Sequence, residues 1–310
     1  MNTQSNALPE SPRDSQINDS QVIAPAVISA TRRMYWSVRR ELWEYRSIYI
    51  APLAVAVVVL FGFLIATIGR AMSTPDPARR AAVLAEPNSF AALLIMGTAF
   101  IVGVFYSLDA LHGERRDRSI LFWKSLPVSD LTTVLSKASI PIVILPLLSF
   151  AITLATQWIM LLLSSAVLLA SGLSVATLWR PLPFFQMSLM LLYHLLFIHG
   201  LWYAPIYGWL LLVSAWARRA PFLWAFLPLL AIGGVEKIAF NTSHFGAMLG
   251  YRLSGGAEGA AFTASSVSMG PLTHLHPGQF LIGLGLWIGL AIAAAFLAAA
   301  VRLRRYQGPI

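Results

Sequence analysis

The sequence has no cysteine, and only 11% of its 310 residues are charged. The missing cysteine excludes disulfides, thiolate metal ligands and a cysteine nucleophile. Soluble domains carry about 25% charged residues, so the low charge argues against a soluble fold. The sequence has no GxxxxGK[ST] pattern, and none of its three lysines follows a glycine. A phosphate-binding loop needs that lysine and its glycine-rich backbone, so the chain lacks this means of binding ATP.

Long apolar runs fill most of the chain. Hydrophobic residues make up 57% of it, and the mean hydropathy is +0.70. A helix needs about 20 apolar residues to cross a bilayer. Six runs are that long, and we predict an all-α membrane protein whose single transmembrane domain covers residues 31–306. The predicted spans are 48–68, 90–111, 140–170, 184–216 (interrupted by Pro205), 221–240 and 279–301.

The distribution of lysine and arginine predicts the orientation of these spans. Six of these residues precede the first span, five lie between the second and third, two between the fourth and fifth, and three follow the sixth. Only six lysines and arginines fall in the segments on the opposite side of the membrane. The positive-inside rule therefore places both termini in the cytoplasm. The positive-inside distribution also explains the net charge of +9 without nucleic-acid binding. Residues 1–30 are rich in Ser, Asn and Pro and are predicted to form a disordered cytoplasmic tail.

Residues 35–45 have the pattern of an amphipathic helix on the inner leaflet. Apolar side chains recur at steps of three and four, polar ones such as Arg40 and Glu44 lie opposite, and two tryptophans flank the stripe. The apolar and aromatic residues of this helix are Tyr35, Trp36, Val38, Leu42, Trp43 and Tyr45.

Residues 111–137, between the second and third spans, combine many charges with a compact apolar block at 120–123. Glu114 and Arg118 stand four apart and could pair on a helix. Pro127 is expected to end that helix, and Ser129 or Asp130 to cap the next one. Composition alone leaves two interpretations open: a docking element, or a solvated positive-inside loop with a tryptophan anchor.

Other residues give weaker signals. His194 and His199 lie inside the fourth span, where two roles are open: lining a path, or hydrogen bonding to a neighbouring helix. His274 and His276 lie in the loop 241–278 and have no carboxylate near them in sequence to complete a metal site. The sequence from Gly172 to Ala176 only loosely resembles a nucleophile turn. Small residues four apart, such as Gly285 and Gly289, allow close helix packing.

The loop resembles that of the ABC-2 type transporter permeases. The resemblance rests on Glu114-Arg115-Arg116, Arg118-Ser119, Leu126-Pro127-Val128-Ser129 and Lys137. Six spans, internal termini and a preceding amphipathic helix agree with it. One difference is that the family often has a glycine where this chain has Asp117-Arg118-Ser119.

The resemblance implies a permease subunit of a bacterial ABC exporter in the cytoplasmic membrane. It would pair with a second permease subunit, alike or different, and with a separate ATP-binding subunit that holds ATP and Mg²⁺. The helix at 35–45 would be the elbow helix, and the outer loop 241–278 would carry short re-entrant helices. The coupling helix would contact the ATPase through Glu114, Arg115, Arg116, Asp117, Arg118, Phe122, Trp123, Lys124, Leu126 and Pro127. The chain would be no enzyme on its own and would bind no cofactor. An intramembrane enzyme and an ATPase-independent carrier or scaffold remain alternatives.

Overall fold

The computed structural model describes residues 29–73, 87–126, 128–170, 184–256 and 281–310, with backbone only at 66–73, 87–89 and 184–187. This part of the chain is all-helical, as predicted. Residues 1–28 of the predicted tail, the turn around Ser174, and both His274 and His276 lie outside it.

The helices follow the apolar runs closely. They are α1 (Ala30–Glu44), α2 (Ser47–Ser73), α3 (Pro87–Asp109), α4 (His112–Arg116), α5 (Ser119–Ser125), α6 (Asp130–Ser139), α7 (Leu145–Ala170), α8 (Phe184–Tyr193), α9 (Ala204–Trp216), α10 (Pro221–Phe240), α11 (His244–Leu253) and α12 (Leu284–Tyr306). Two π-helical segments, Ile140–Ile144 and His194–Trp202, join α6 to α7 and α8 to α9.

Within the described ranges, five helical segments are long and apolar enough to cross a membrane, and six if one bent pair counts as a single span. That pair is Ser188–Trp202 with Ala204–Trp216, bent by 44°. The break falls at Tyr203, two residues before the predicted interruption, because Pro205 sits in the first turn of α9, where its missing N–H leaves no bond unmade. The third segment, Asp130–Ala170, is one helical rod of 41 residues that extends beyond its apolar run.

The two π-helical segments contact each other. A Cβ on Gly200 would lie 2.6 Å from the backbone oxygen of Ile142. Only glycine permits this approach, so Gly200 fixes how the third and fourth spans cross. By contrast, Gly62 in α2 has open space around it. The Arg252 side chain packs against the pair Gly285 and Gly289: a Cβ on Gly289 would lie 1.6 Å from Nη2 of Arg252.

The short helix α11 lies against the bend of the fourth span. Glu236 of α10 accepts backbone hydrogen bonds from His244 at 2.6 Å and Phe245 at 2.8 Å, which satisfies free N–H groups at the start of α11. Near the end of α11, Trp202 donates to the carbonyl of Arg252 at 2.9 Å. A short helix in the loop before the last span was expected from the family resemblance.

Segments that the sequence assigns to one side of the membrane meet at one end of the helical bundle, here called the charged end. Its core joins α2, α3, α6, α9 and α12 through Ile48, Tyr106, Ala138, Leu211 and Ala300, and Val38 and Leu42 of α1 pack against that core. The amphipathic helix thus lies against the ends of the spans.

Gly200→Ala tests the crossing of the π-helical segments. The added methyl group would press on the Ile142 carbonyl, so we expect a loss of about 1–3 kcal/mol, the usual cost of overpacking. Thermal unfolding of the purified chain in detergent measures it. The matched control is Gly62→Ala, which should leave stability unchanged or raise it by up to about 1 kcal/mol. Equal effects of the two changes would contradict the close crossing.

Candidate functional site: a buried ion cluster beneath a charged loop

The loop between α3 and α6 folds into two short helices, α4 and α5. They are separated at Asp117 and Arg118, and Arg118 has a left-handed backbone with φ 59° and ψ 6°. This turn lies where the family often has glycine, the residue best suited to that conformation. The hydroxyl of Ser129 caps α6 by accepting from the backbone N–H of Thr132 at 3.1 Å, as predicted. Pro127 lies outside the described residues.

Glu114 of α4 points inward, with a side chain only 2% exposed. Its Oε1 accepts from Arg40 Nη2 of α1 at 2.9 Å and lies 3.2 Å from Lys137 Nζ of α6. Its Oε2 accepts from Arg304 Nη2 of α12 at 2.9 Å. One carboxylate therefore ties together α1, α4, α6 and α12.

A second buried carboxylate, Glu41 of α1, completes the cluster. Lys137 Nζ lies 3.0 Å from both of its oxygens, and both side chains are fully buried. Tyr106 of α3 donates its hydroxyl hydrogen to Glu41 at 2.8 Å, and Arg40 pairs with the same carboxylate.

Asp130 at the start of α6 accepts from Arg304 at 2.6 Å. We call the six charged residues the ion cluster: Glu41, Glu114, Asp130, Arg40, Lys137 and Arg304. Three negative and three positive charges balance, which offsets the high cost of burying each of them.

The surroundings shift the pKa of three groups in or beside the ion cluster. Burial alone would lower the pKa of Arg40, but the carboxylates of Glu41 and Glu114 outweigh it and raise that pKa above its usual value. Burial raises the pKa of Glu44, although Lys137 opposes it. Burial and the nearby Asp109 raise the pKa of Tyr45, so Tyr45 stays a neutral phenol and donates to Asp109 Oδ2 at 3.2 Å.

Arg115 is also turned inward. Its guanidinium donates to the carbonyls of Ala215 at 2.5 Å and Ala217 at 3.3 Å, at the end of α9, and to the Gly308 carbonyl at 3.3 Å. The Ile310 N–H donates back to the Arg115 carbonyl at 3.2 Å. Arg115 thus holds α9 and the C-terminal residues together.

These contacts bear on two expectations about the loop. The pair between Glu114 and Arg118 does not form, because α4 ends at Arg116 and Glu114 is directed into the ion cluster. Glu114 and Arg115 are 3% and 6% exposed and bond to this chain, so their side chains do not form part of an outward contact surface.

Six of the other predicted contact residues are exposed, and together with Leu121 we call them the exposed loop face. Phe122 is 59% exposed. Arg116 pairs with Asp117 at 3.0 Å but remains accessible, whereas Trp123 is half-buried beneath the Arg40 guanidinium, 3.9 Å from its ring centre. The exposed loop face consists of Arg116, Asp117, Arg118, Leu121, Phe122, Lys124 and Leu126.

The predicted elbow residues divide between two faces of α1. Val38, Leu42 and Tyr45 of the predicted apolar stripe pack on the protein core. Trp36 and Trp43 remain exposed, with the Arg39 guanidinium 5.1 and 4.6 Å from their ring centres, and Tyr35 is also exposed.

Glu41 was missed by the sequence reasoning, although a signal was present. It stands three residues after Val38 and four before Tyr45, which puts a carboxylate on the apolar stripe of an amphipathic helix. A charge in that position has to be paired or costs stability. Arg304 and Asp130 gave no such signal.

Elsewhere the described residues offer little catalytic chemistry. No three His, Asp or Glu side chains among them converge to hold a metal ion. His194 and His199 are buried in the π-helical part of the fourth span, and His199 lies edge-on to Phe100 at 5.9 Å. Comparison of the chain with protein-family models, with curated proteins and with solved structures finds no match.

Lys137→Met tests the ion cluster. Removing the lysine leaves two buried carboxylates short of a counter-charge, so we expect a loss of about 3–5 kcal/mol. Thermal unfolding in detergent measures it. Lys124→Met is the matched control, because Lys124 is exposed and bonds only to the Gln307 and Arg305 carbonyls. Adding Glu41→Gln to Lys137→Met should recover part of the loss; no recovery would contradict direct pairing.

Arg118→Gly tests the left-handed turn. A non-glycine residue in that conformation costs about 1–2 kcal/mol, and glycine loses about 0.5–1 kcal/mol more backbone entropy on folding. We therefore expect a net gain of about 0.5–1 kcal/mol in the free energy of unfolding. The control Arg116→Gly also removes an exposed arginine but lies in α4, so it should lower stability. A loss in both variants would count against the turn.

Proposed function

We propose that this chain is the membrane-spanning permease subunit of an ABC transporter, an exporter of the bacterial cytoplasmic membrane. A separate subunit would bind and hydrolyse ATP, and a second permease subunit would complete the pore. In this proposal the charged end faces the cytoplasm and the exposed loop face docks on the ATPase. The resemblance of the loop to ABC-2 type permeases supports the class, and the site geometry supports the docking role.

The observation that carries the proposal is the division of one short loop into two faces. Glu114 and Arg115 are directed inward and bonded to four other elements, while Arg116 and Phe122 are accessible. A loop that only satisfied the positive-inside rule would need charges on its surface. It would not need its base locked to the ends of the spans by buried ion pairs.

That arrangement suits the transmission of force. A partner that moves the exposed loop face also moves Glu114, because both lie on the α4–α5 unit. Glu114 is bonded to α1, α6 and α12, and α6 continues through the π-helical turn into α7. Closure of two ATPase subunits can therefore be converted into rigid-body movement of spans. Glu114 and Lys137 both belong to the sequence pattern that the loop shares with ABC-2 type permeases. Lys137 Nζ lies 3.2 Å from Glu114 Oε1, so these two residues of the pattern form an ion pair.

Purification of the chain from its native membrane, followed by an assay for ATP hydrolysis, tests the class. The proposal expects an ATP-binding subunit to co-purify. Arg116→Glu and Phe122→Ala should each lower the stimulated ATPase rate several-fold by removing a contact on the exposed loop face. Both should leave insertion and thermal stability unchanged, because neither side chain enters the ion cluster.

The matched controls are Arg302→Glu and Leu131→Ala, which alter exposed side chains of the charged end outside the loop face. They should keep the full rate. Transport by the reconstituted chain without any ATP-hydrolysing partner would favour a carrier, and the proposal would then be withdrawn. Unchanged coupling in both loop variants would remove the docking role.

A further inference from the structure

A cavity of about 420 Å³ opens between α1, α5 and α6 at the charged end. Its size is within the range of small-molecule sites. Its walls are mostly aromatic and aliphatic, from Trp36, Trp43, Trp123 and Leu126, with two arginines, Arg33 and Arg40, on the α1 side. None of the roles argued above for the loop or the ion cluster uses this space.

One of the two arginines gives the cavity a positive charge that no carboxylate in the described parts of the chain neutralises. Arg33 has no carboxylate within ion-pair distance in the described parts of the chain. Arg40, by contrast, pairs with the carboxylates of Glu41, Glu44 and Glu114. The hydroxyl-bearing residues Ser37, Thr133 and Ser136 also line the space.

The position of the cavity indicates what kind of ligand reaches it. It lies beside α1, an amphipathic helix with exposed tryptophans, which is the pattern of a helix at the membrane interface. Tryptophan is typical of the headgroup level. A ligand there meets cationic nitrogens and hydroxyls on one side and indole rings on the other. That combination matches an amphiphile with a negatively charged head.

We propose that this cavity binds the phosphate head and adjoining glycerol of an anionic phospholipid from the leaflet beside α1. Arg33 supplies the free positive charge, and the three indoles cover the start of the acyl chains. The proposal is independent of any ATPase, because it depends only on α1, α5 and α6.

Native mass spectrometry of the full chain, released from micelles that contain phosphatidylglycerol or phosphatidylcholine, tests this site. The wild type should retain phosphatidylglycerol in preference to phosphatidylcholine. Arg33→Gln should weaken that retention about fivefold, the effect of one arginine near an anionic lipid surface. The matched control is Arg32→Gln, which removes the neighbouring exposed arginine that does not line the cavity and should change retention little.

A second variant separates the cavity from surface charge. Ser37→Phe fills the space without altering any charge and should also reduce phosphatidylglycerol retention, while thermal unfolding shows that the chain is folded. Equal losses in Arg33→Gln and Arg32→Gln, or full retention in Ser37→Phe, would overturn the proposal. Retention of phosphatidylglycerol only after a partner protein is added would also overturn the proposal, since the site would then belong to that protein.

Discussion

The architecture of the charged end depends on the pairing of buried carboxylates with buried cations. Glu41 and Glu114 both pair with Lys137. Arg40 also pairs with both carboxylates, and Arg304 pairs with Glu114. Each of these charges is expensive to remove from water, so each is tolerated only while the others stay in place. This mutual dependence fixes the amphipathic helix, the loop and the ends of α6 and α12 as one unit. Such a cluster specifies an arrangement more than it adds net stability.

The same pairing separates the loop into a structural side and an accessible side. Arg115 and Arg116 are adjacent in sequence, yet one bonds to backbone carbonyls of α9 while the other remains exposed. The helical period places neighbours on different faces, and the left-handed turn at Arg118 then redirects α5. An exposed apolar helix on a rigid base is a suitable handle for a partner. The cavity beside it is lined by indoles and arginines of α1, which we propose to bind the head of an anionic phospholipid.

Much of the fold could be predicted, because crossing a bilayer imposes a length and an apolar composition that are visible in the sequence. The spans were predicted on this ground. The amphipathic helix and the Ser129 cap were predicted from other local patterns, the spacing of apolar residues and the preference of serine for the N-cap position. The first and last residues of the helices were harder to predict from the sequence. The last helix continues to Tyr306, five residues beyond the predicted span, and Arg304 in that extension is held by Glu114 and Asp130. The third rod starts ten residues before its apolar run, and Lys137 in that extension is buried in the ion cluster.

The sequence by itself determined that the fold is all-helical with helices long and apolar enough to cross a membrane, and it located a charged loop between two of them. Hydrophobic length and the distribution of arginines are local properties, so one chain suffices to read them. Only the tertiary structure decided which charges face inward, that Glu41 meets Lys137 across the fold, that Gly200 marks a helix crossing, and that a cavity forms under Trp123. Those features depend on residues far apart in sequence, and no local pattern specifies which of several arginines a given carboxylate will meet.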